Sequence, residues 1–502
     1  VKPEPDTEVP QASSAHDTFW DFVANNQESA HTVMWAMSDR AIPKSYRMME
    51  GFGIHTFRFI NESGKSTFFK VHFKPALGVH SLVWDETQKI AGKDPDFNRK
   101  DLQEAINTGN YPEYEVGVQL LPEDKEFSLD FDILDPTKIW PEEDIPVKII
   151  GKITLNKNVD NFFAEVEQVA FHPGHLVPGI DFTNDPLLQG RLFSYTDTQL
   201  TRLGGPNFHE IPINRPVVTV HNTTNVSYHN NSLSNNTPKT LGEDQGGFAN
   251  YQEKVEGNIV RSRSKSFEDH FSQAAMFYNS MSDVEKKHII DAFKFELSKV
   301  NNKDIRQQII DMFGNVNINM MTQVAQYLGA NLPKGEASKY NKVSPALSQE
   351  NTIKKSDTLK VGIILSEGYN SDEFNTMIKA LNAAKTMPEI IGCNLSPIKG
   401  SDGTSQLPKH SLLSADPVLF DAICVLGSGN VDPDFKMRTK MFIEETYKHF
   451  KPILVSQSMT MLLKPEMKDQ PGVTVGDSKD KFTNKFITDI SAHRHWDRNI
   501  TI

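Results

Sequence analysis

The sequence predicts an α+β chain in two parts, an antiparallel β-barrel with attached helices followed by a separate α/β domain. Three observations predict it. Alternating apolar and polar residues run through 51–73, 116–131 and 147–155 with no crossover helix between them, as antiparallel strands require. Amphipathic helical spacing covers 283–328. Continuous apolar runs at 359–365 and 420–426 fit parallel strands buried on both faces. A length of 502 residues allows more than one core.

Taken in order, residues 1–15 are rich in Pro and Glu and read as an extended arm. Phe19, Trp20, Phe22, Met34, Trp35 and Met37 recur at helical spacing within 16–40 and predict core helices. Residues 51–60 and 67–73 alternate on either side of the polar stretch Asn61-Glu62-Ser63-Gly64-Lys65, a β-hairpin pattern. Residues 116–121 and 127–131 read as a second strand pair, and 147–155 as a further strand. The Asn-, Thr- and Ser-rich stretch 217–250 predicts a long surface wrap. Helices are expected over 283–300, 304–313 and 318–328, then a Lys/Ser/Asn/Pro-rich linker over 331–357. Beyond it come strand 359–365, helix 372–384 and strands 389–394, 420–426 and 452–455, the βαβ pattern of a flavodoxin-like domain. The domains are therefore 1–330 and 358–502, joined by 331–357.

Composition narrows the function. A net charge of −12 disfavours a nucleic-acid partner and suits a neutral small substrate. No apolar run reaches membrane-spanning length and no signal peptide is recognisable, so the expected location is the cytoplasm, with no membrane partner. The two cysteines, Cys393 and Cys424, lie in apolar strand-like runs and read as buried structural thiols. The sequence opens on Val1, and a fragment or processed form is expected.

The most informative stretch is Arg191-Leu192-Phe193-Ser194-Tyr195-Thr196-Asp197-Thr198-Gln199. On a helix, Arg191 and Tyr195 share a face, within reach of a guanidinium–phenol bond. A fixed positive charge there favours the phenolate. The stretch resembles the proximal-haem signature of catalases at every position; tyrosine ligation of haem iron is a known property of that family. The resemblance extends to His172-Pro173-Gly174-His175, Pro178-Gly179 and Leu188-Gln189-Gly190 before it. After it come Leu203-Gly204-Gly205-Pro206-Asn207-Phe208 and Ile211-Pro212-Ile213-Asn214-Arg215-Pro216. From about Lys2 to the chain end the sequence resembles large-subunit haem catalases. This implies haem lying against the barrel, a helical bundle over 283–328, and a C-terminal class I glutamine amidotransferase-like domain. That domain reads as non-catalytic, because Cys424 sits inside its strand and Ser456 lacks a nucleophile-elbow glycine pattern. Gly427-Ser428-Gly429 follows a strand but lacks the full dinucleotide fingerprint.

The resemblance also implies roles. Tyr195 would be the axial ligand of haem iron. Arg191, Asp185 and His55 would form a proximal relay, with Asp185 pinning the guanidinium and His55 tuning the charge that reaches Tyr195. Arg202 would pair with a haem propionate, His172 would pack against Tyr195, and Ile54 would line the haem or an access path. The cofactor would be haem b or an oxidised, d-type chlorin. The implied reaction is disproportionation of hydrogen peroxide to water and oxygen by a homotetramer. Alternatives are a peroxidase of the same fold acting on organic donors and a non-catalytic haem-binding subunit. The family's distal histidine and asparagine belong to a segment preceding Val1, so the chain is expected to be N-terminally truncated. Small-subunit relatives bind NADPH, and His31, Ser38, Arg40, Lys74 and Trp140 match positions of that site. Trp35 replaces its phenylalanine and Glu142 its histidine, placing a carboxylate near a phosphate, so NADPH is not expected.

Overall fold

The computed structural model describes residues 3–217, 250–254, 256–258, 260–335, 339–427, 431–476 and 480–500. The wrap expected over 217–250 falls outside these except at its two ends, as do Ser428 and Gly429 of the Gly427-Ser428-Gly429 stretch.

Helices α1 (Asp17–Asn25) and α2 (Ala30–Ala36) open the described chain. Trp20, Met34 and Met37 are buried, as their spacing predicts. Phe22 is exposed instead, because it stands two positions after Trp20 and so points away from that face. The core they join is the helical bundle, with Phe277, Phe293, Ile309, Phe313 and Met320.

The first sheet contains β1 (Gly51–Phe52), β2 (Phe57–Ile60), β3 (Ser66–Pro75), β4 (Glu113–Pro122), β5 (Lys148–Thr154) and β6 (Ile180–Asp181). Its order is β5-β4-β3-β2-β6, with β1 on the other end of β3, and every pair is antiparallel. Among the described residues no pairing joins β5 to β6. The 51–60 strand is broken between β1 and β2. The strand expected over 127–131 is absent: β4 ends at Pro122, an acidic turn follows (Glu123–Lys125), and Phe127 is exposed. Leu129 and Phe131 pack instead around Phe68, Leu121, Ile133 and Trp140.

Helices α3 (Trp84–Lys93) and α4 (Phe97–Asn107) are inserted between β3 and β4, and the short apolar spacing within them did not reveal them. Helix α5 (Pro186–Arg202) follows β6. The bundle continues with α6 (Ser272–Ser280), α7 (Asp283–Ser298), α8 (Lys303–Gly314) and α9 (Ile318–Leu328). The last three match expectation, and α7 starts at a full capping box formed by Ser282 and Glu285.

The C-terminal domain contains β7 (Lys360–Ile364), α10 (Ser371–Ala383), β8 (Met387–Gly392), the short ribbon β9 (Ile398–Lys399) and β10 (Ser405–Gln406), and β11 (His410–Ser411). These are followed by β12 (Ala422–Val425), α11 (Pro433–Lys448), β13 (Ile453–Val455), β14 (Val473–Val475) and α12 (Asp480–Ser491). The main sheet is wholly parallel, in the order β11-β8-β7-β12-β13-β14. Its five central and C-terminal strands reproduce the 2-1-3-4-5 flavodoxin-like order. Alternate residues of β7 feed opposite cores: Val361 and Ile363 pack with Met377 and Phe486, whereas Ile364 packs with Phe420 and Phe435. Cys424 is fully buried, and burial pushes its thiol well above the usual range. Cys393 is raised for the same reason, with Asp432 and Asp434 adding to it.

The C-terminal domain is docked by buried charge. Glu86 of α3 is completely enclosed. Its carboxylate lies 2.5 Å from Lys451 Nζ and accepts from Arg494 at 2.7 Å and from the Val83 N–H at 2.8 Å. Burial alone would raise its pKa, but Arg494, Lys451 and His449 outweigh it and hold the carboxyl well below the usual range. Lys451 is pushed down to about 8 by its own burial, against the pull of Glu86. Beside this cluster the rings of His80 and His493 stack 3.6 Å apart and nearly parallel. Their Nε2 atoms lie 2.9 Å from the carbonyls of Ile353 and Lys355. Burial lowers them to about 4 and about 3; Asp421 opposes this, while Arg494 adds to it.

Glu86→Ala removes the carboxylate that pairs with the buried Lys451 and with Arg494. It should destabilise the docked structure by about 3–5 kcal/mol in chemical denaturation; an unchanged midpoint would contradict this account. The stacked histidines give a second expectation. Their folded pKa values lie below the ordinary 6.5, so the unfolded chain binds protons first. Their contribution is complete above about pH 6.5 and is lost as pH falls through about 4 for His80 and about 3 for His493. His493→Asn should therefore flatten the fall of the unfolding temperature across that window.

Candidate functional site

The break between β1 and β2 builds one side of the site. Gly53 brings its N–H to 2.7 Å from the Val71 carbonyl, and a Cβ there would sit 2.9 Å from that oxygen, so the close approach needs glycine. Thr56 donates to the Ile133 carbonyl and Thr183 donates to the Thr56 carbonyl, both at 2.5 Å. These bonds take the place of the missing strand ladder and hold His55 inward, where it is buried.

Asp185 joins that segment to α5. Its Oδ2 lies 2.6 Å from His55 Nδ1. Its Oδ1 accepts from the N–H groups of Leu187 and Leu188 at 2.9 and 3.0 Å, capping the helix, and Pro186 fits the first helical position. Further along α5, Arg191 Nη2 donates to Tyr195 Oη at 2.5 Å, and its guanidinium carbon lies 4.6 Å from the tyrosine ring centre. The four residues thus stand as two pairs, His55–Asp185 and Arg191–Tyr195. The expected bond from Asp185 to the Arg191 guanidinium is not among those the structure gives, because the cap and His55 occupy the carboxylate.

His172 stands edge-on to Tyr195, with ring centres 6.1 Å apart at 81°. Its Nδ1 accepts from the Gly174 N–H, so Nε2 carries the proton and donates toward the Leu192 carbonyl (3.1 Å) and Thr196 Oγ1 (3.2 Å). Arg202, at the end of α5, is exposed. Its guanidinium donates to the carbonyls of Glu167 and Val169 and to Gln199 Oε1 (2.6 Å). Ile54 is half exposed, beside His55.

Thr56, Thr183 and Gln199 position the site and were missed. The two threonines adjoin His55 and come two positions before Asp185, but nothing in a single sequence marks a hydroxyl that replaces a ladder bond. Helix α5 buries Leu188 and Gln199 and little else. Leu187, Phe193 and Leu200 are exposed along it, as are Phe171 and Val177 just before it. An apolar surface beside a paired phenol has room for a large, flat, apolar group.

Comparison with known proteins agrees with this arrangement. A family profile described as catalase matches residues 1–248. One described as catalase-related immune-responsive matches 264–328, and the C-terminal domain found in long catalases matches 357–500. Similar proteins include a catalase of Alkalihalophilus pseudofirmus, 60% identical over 99% of this chain and 75% of its own length. Catalase-2 of Bacillus subtilis is 54% identical over the same shares, and catalase HPII of Pseudomonas putida is 48% identical over 99% and 73%. The chain belongs to the catalase family, in its long form.

Asp185 has two separable tasks. Asp185→Ala removes both the cap and the His55 partner, and should cost at least about 1 kcal/mol of stability. Asp185→Asn keeps a capping oxygen and should recover much of that stability without restoring the charge opposite His55. Equal stabilities for the two variants in thermal melts would contradict the capping role.

Proposed function

We propose that this chain decomposes hydrogen peroxide on a haem whose iron is bound by Tyr195. The observation that carries the site assignment is the 2.5 Å Arg191–Tyr195 bond on a helix with an uncovered apolar face. A phenol oxygen held beside a fixed cation is a hard oxygen donor of the kind that suits ferric iron, and the surrounding Phe, Leu and Val side chains suit a macrocycle. The residues therefore fit the group that catalases carry. When bound, haem supplies the redox chemistry by which one peroxide is reduced to water and a second is oxidised to oxygen.

The chain's own residues orient and bias that group. Arg191 fixes the direction of the Tyr195 oxygen and stabilises negative charge on it. His172 packs against the tyrosine ring and limits its rotation. Asp185 sets the start of α5 against His55 and so fixes where the ring is presented. Arg202 sits at the exposed end of the helix, where its fork can turn from the carbonyls it now meets to a carboxylate of the macrocycle. Ile54 offers apolar contact at the edge.

Two further readings go with this one. The exposed apolar side chains Phe127, Ile150, Phe162 and Phe163 support assembly, and we propose a homotetramer. NADPH is not expected to bind. Lys74 meets both oxygens of Glu142 at 2.6 Å, and Arg40 meets Glu50 at 3.1 Å, so the two cations that would face phosphate are already paired.

The test is oxygen release from hydrogen peroxide by the haem-loaded protein. One oxygen per two peroxides is expected, and Tyr195→Phe should lose haem retention and lower release at least ~100-fold. Haem binding with oxidation of organic donors and no oxygen release would instead favour the peroxidase reading. Titration with NADPH should leave tryptophan emission unchanged at micromolar concentrations; saturable quenching would overturn that reading.

A further inference from the structure

We propose that the cleft between β1, β3 and the 139–142 segment binds a divalent transition-metal cation. The ligands are His72 Nδ1 and one carboxylate oxygen each from Glu50 and Glu142. The site shares no residue with the Tyr195 region, so its failure and that of the haem reading are separable.

The histidine carries the argument. His72 lies in β3, opposite Phe52, and is 5% exposed. Its Nε2 lies 2.7 Å from Gln119 Oε1. The Gln119 amide nitrogen donates to the carbonyls of Trp140 (3.0 Å) and Ile145 (2.5 Å), which fixes the amide orientation and makes Oε1 the acceptor. Nε2 must therefore carry the proton, and Nδ1 presents a lone pair. That Nδ1 is buried and has no hydrogen-bond partner. Burial also lowers the pKa of the ring, against the pull of Gln119, Glu50 and Glu142, which favours the neutral form. An imidazole whose second nitrogen donates to an amide or carbonyl oxygen is the usual form of a metal-binding histidine.

The His72 ring sits within the field of two carboxylates, Glu50 and Glu142. Ligand atoms of Glu50, His72 and Glu142 all lie within 4.8 Å of one another. A lone pair beside two carboxylates is repulsive unless a cation or a water proton lies between them. Bonds of about 2.0–2.2 Å to one tetrahedral ion would bring these atoms to about 3.4 Å from one another, so the carboxylates would have to close around it. The adjoining cavity, lined by Phe52, Trp140 and Pro141, measures about 10 Å³, room for a single water-sized particle. One imidazole nitrogen with two carboxylates suits Zn²⁺ or Mn²⁺ better than a soft cuprous ion.

Two side chains compete for the carboxylates. Arg40 takes Glu50 Oε2 and leaves Oε1. Lys74 takes both oxygens of Glu142, but its side chain is 30% exposed and can swing into solvent. The ammonium and the metal are thus alternative occupants of Glu142. This predicts that removing Lys74 strengthens metal binding, an effect that a purely structural histidine would not produce.

The experiment uses the haem-loaded protein, stripped with chelator and titrated with Zn²⁺ by calorimetry and with Mn²⁺ by loss of the free ion's electron paramagnetic resonance signal. One ion per chain is expected at this site. His72→Asn and Glu142→Gln should each weaken it by at least ~10-fold, whereas Lys74→Met should tighten it. Asp85→Asn alters the other described cluster of this type, Asp85, Glu445 and His449, and should leave the site unchanged. If His72→Asn does not fold, Glu142→Gln and Lys74→Met decide. Absence of binding below millimolar concentration would overturn the proposal and leave water as the occupant. Binding that survives Glu142→Gln, or that Lys74→Met does not tighten, would also overturn it.

Discussion

The site depends on one carboxylate shared between two tasks. Asp185 caps α5 with one oxygen and holds His55 with the other. The cap sets where the helix begins, and the helical repeat then sets where Arg191 and Tyr195 point. The His55 bond ties that starting point to the break between β1 and β2. A shift at Asp185 would therefore move the phenol oxygen relative to the sheet, although Asp185 itself touches neither Arg191 nor Tyr195 in the bonds described. The hydroxyls of Thr56 and Thr183 keep the break from relaxing into an ordinary strand.

The C-terminal domain is attached by a different physical device. Glu86, Lys451, Arg494 and His449 form a closed charge cluster at the junction with α3. Removing charges from water is costly, so such a cluster tolerates little change in geometry. The linker adds hydroxyl-to-carboxyl hydrogen bonds: Ser348 donates to Glu285, and Ser344 to Glu143. Its composition marks a linker, yet Ser344 and Ser348 are buried and bonded against the first domain. Composition reports what a segment would do alone, and the linker is not alone.

Much of the architecture was legible because it rests on local periodicity. The strands β3, β4, β5, β7, β8, β12 and β13 and helices α7, α8, α9 and α10 all carry an uninterrupted pattern. Helices α3 and α4 did not show, because each presents only a few buried apolar residues, Ile90 in one and Phe97 and Ala105 in the other. The false strand at 127–131 arose from aromatic alternation that packing used differently: Phe131 turned inward and Phe127 outward. At the site, i,i+4 spacing put Arg191 and Tyr195 within reach of each other, and the family resemblance singled the pair out. The partners of Asp185, Arg202 and Gln199 did not, because they lie across contacts whose residues are far apart in sequence or on the backbone. Nor could spacing join Glu50, His72 and Glu142, which come from three separate segments.

The state of the two thiols bears on how such a protein survives its own substrate. Sulfur oxidation by peroxide begins at the thiolate and proceeds through sulfenic acid to irreversible sulfinic and sulfonic forms. Cys424 is sealed within β12 and Cys393 is held toward the protonated thiol, so neither offers a ready point of attack. Many methionines, among them Met34, Met276, Met320, Met377 and Met459, are likewise enclosed, and sulfoxide formation there would require the core to open. The exposed methionines among the described residues, Met49 of the first domain and Met437, Met441 and Met461 of the C-terminal domain, lie at the surface and belong to no core cluster. Oxidative wear would therefore fall first on positions whose loss the fold can absorb.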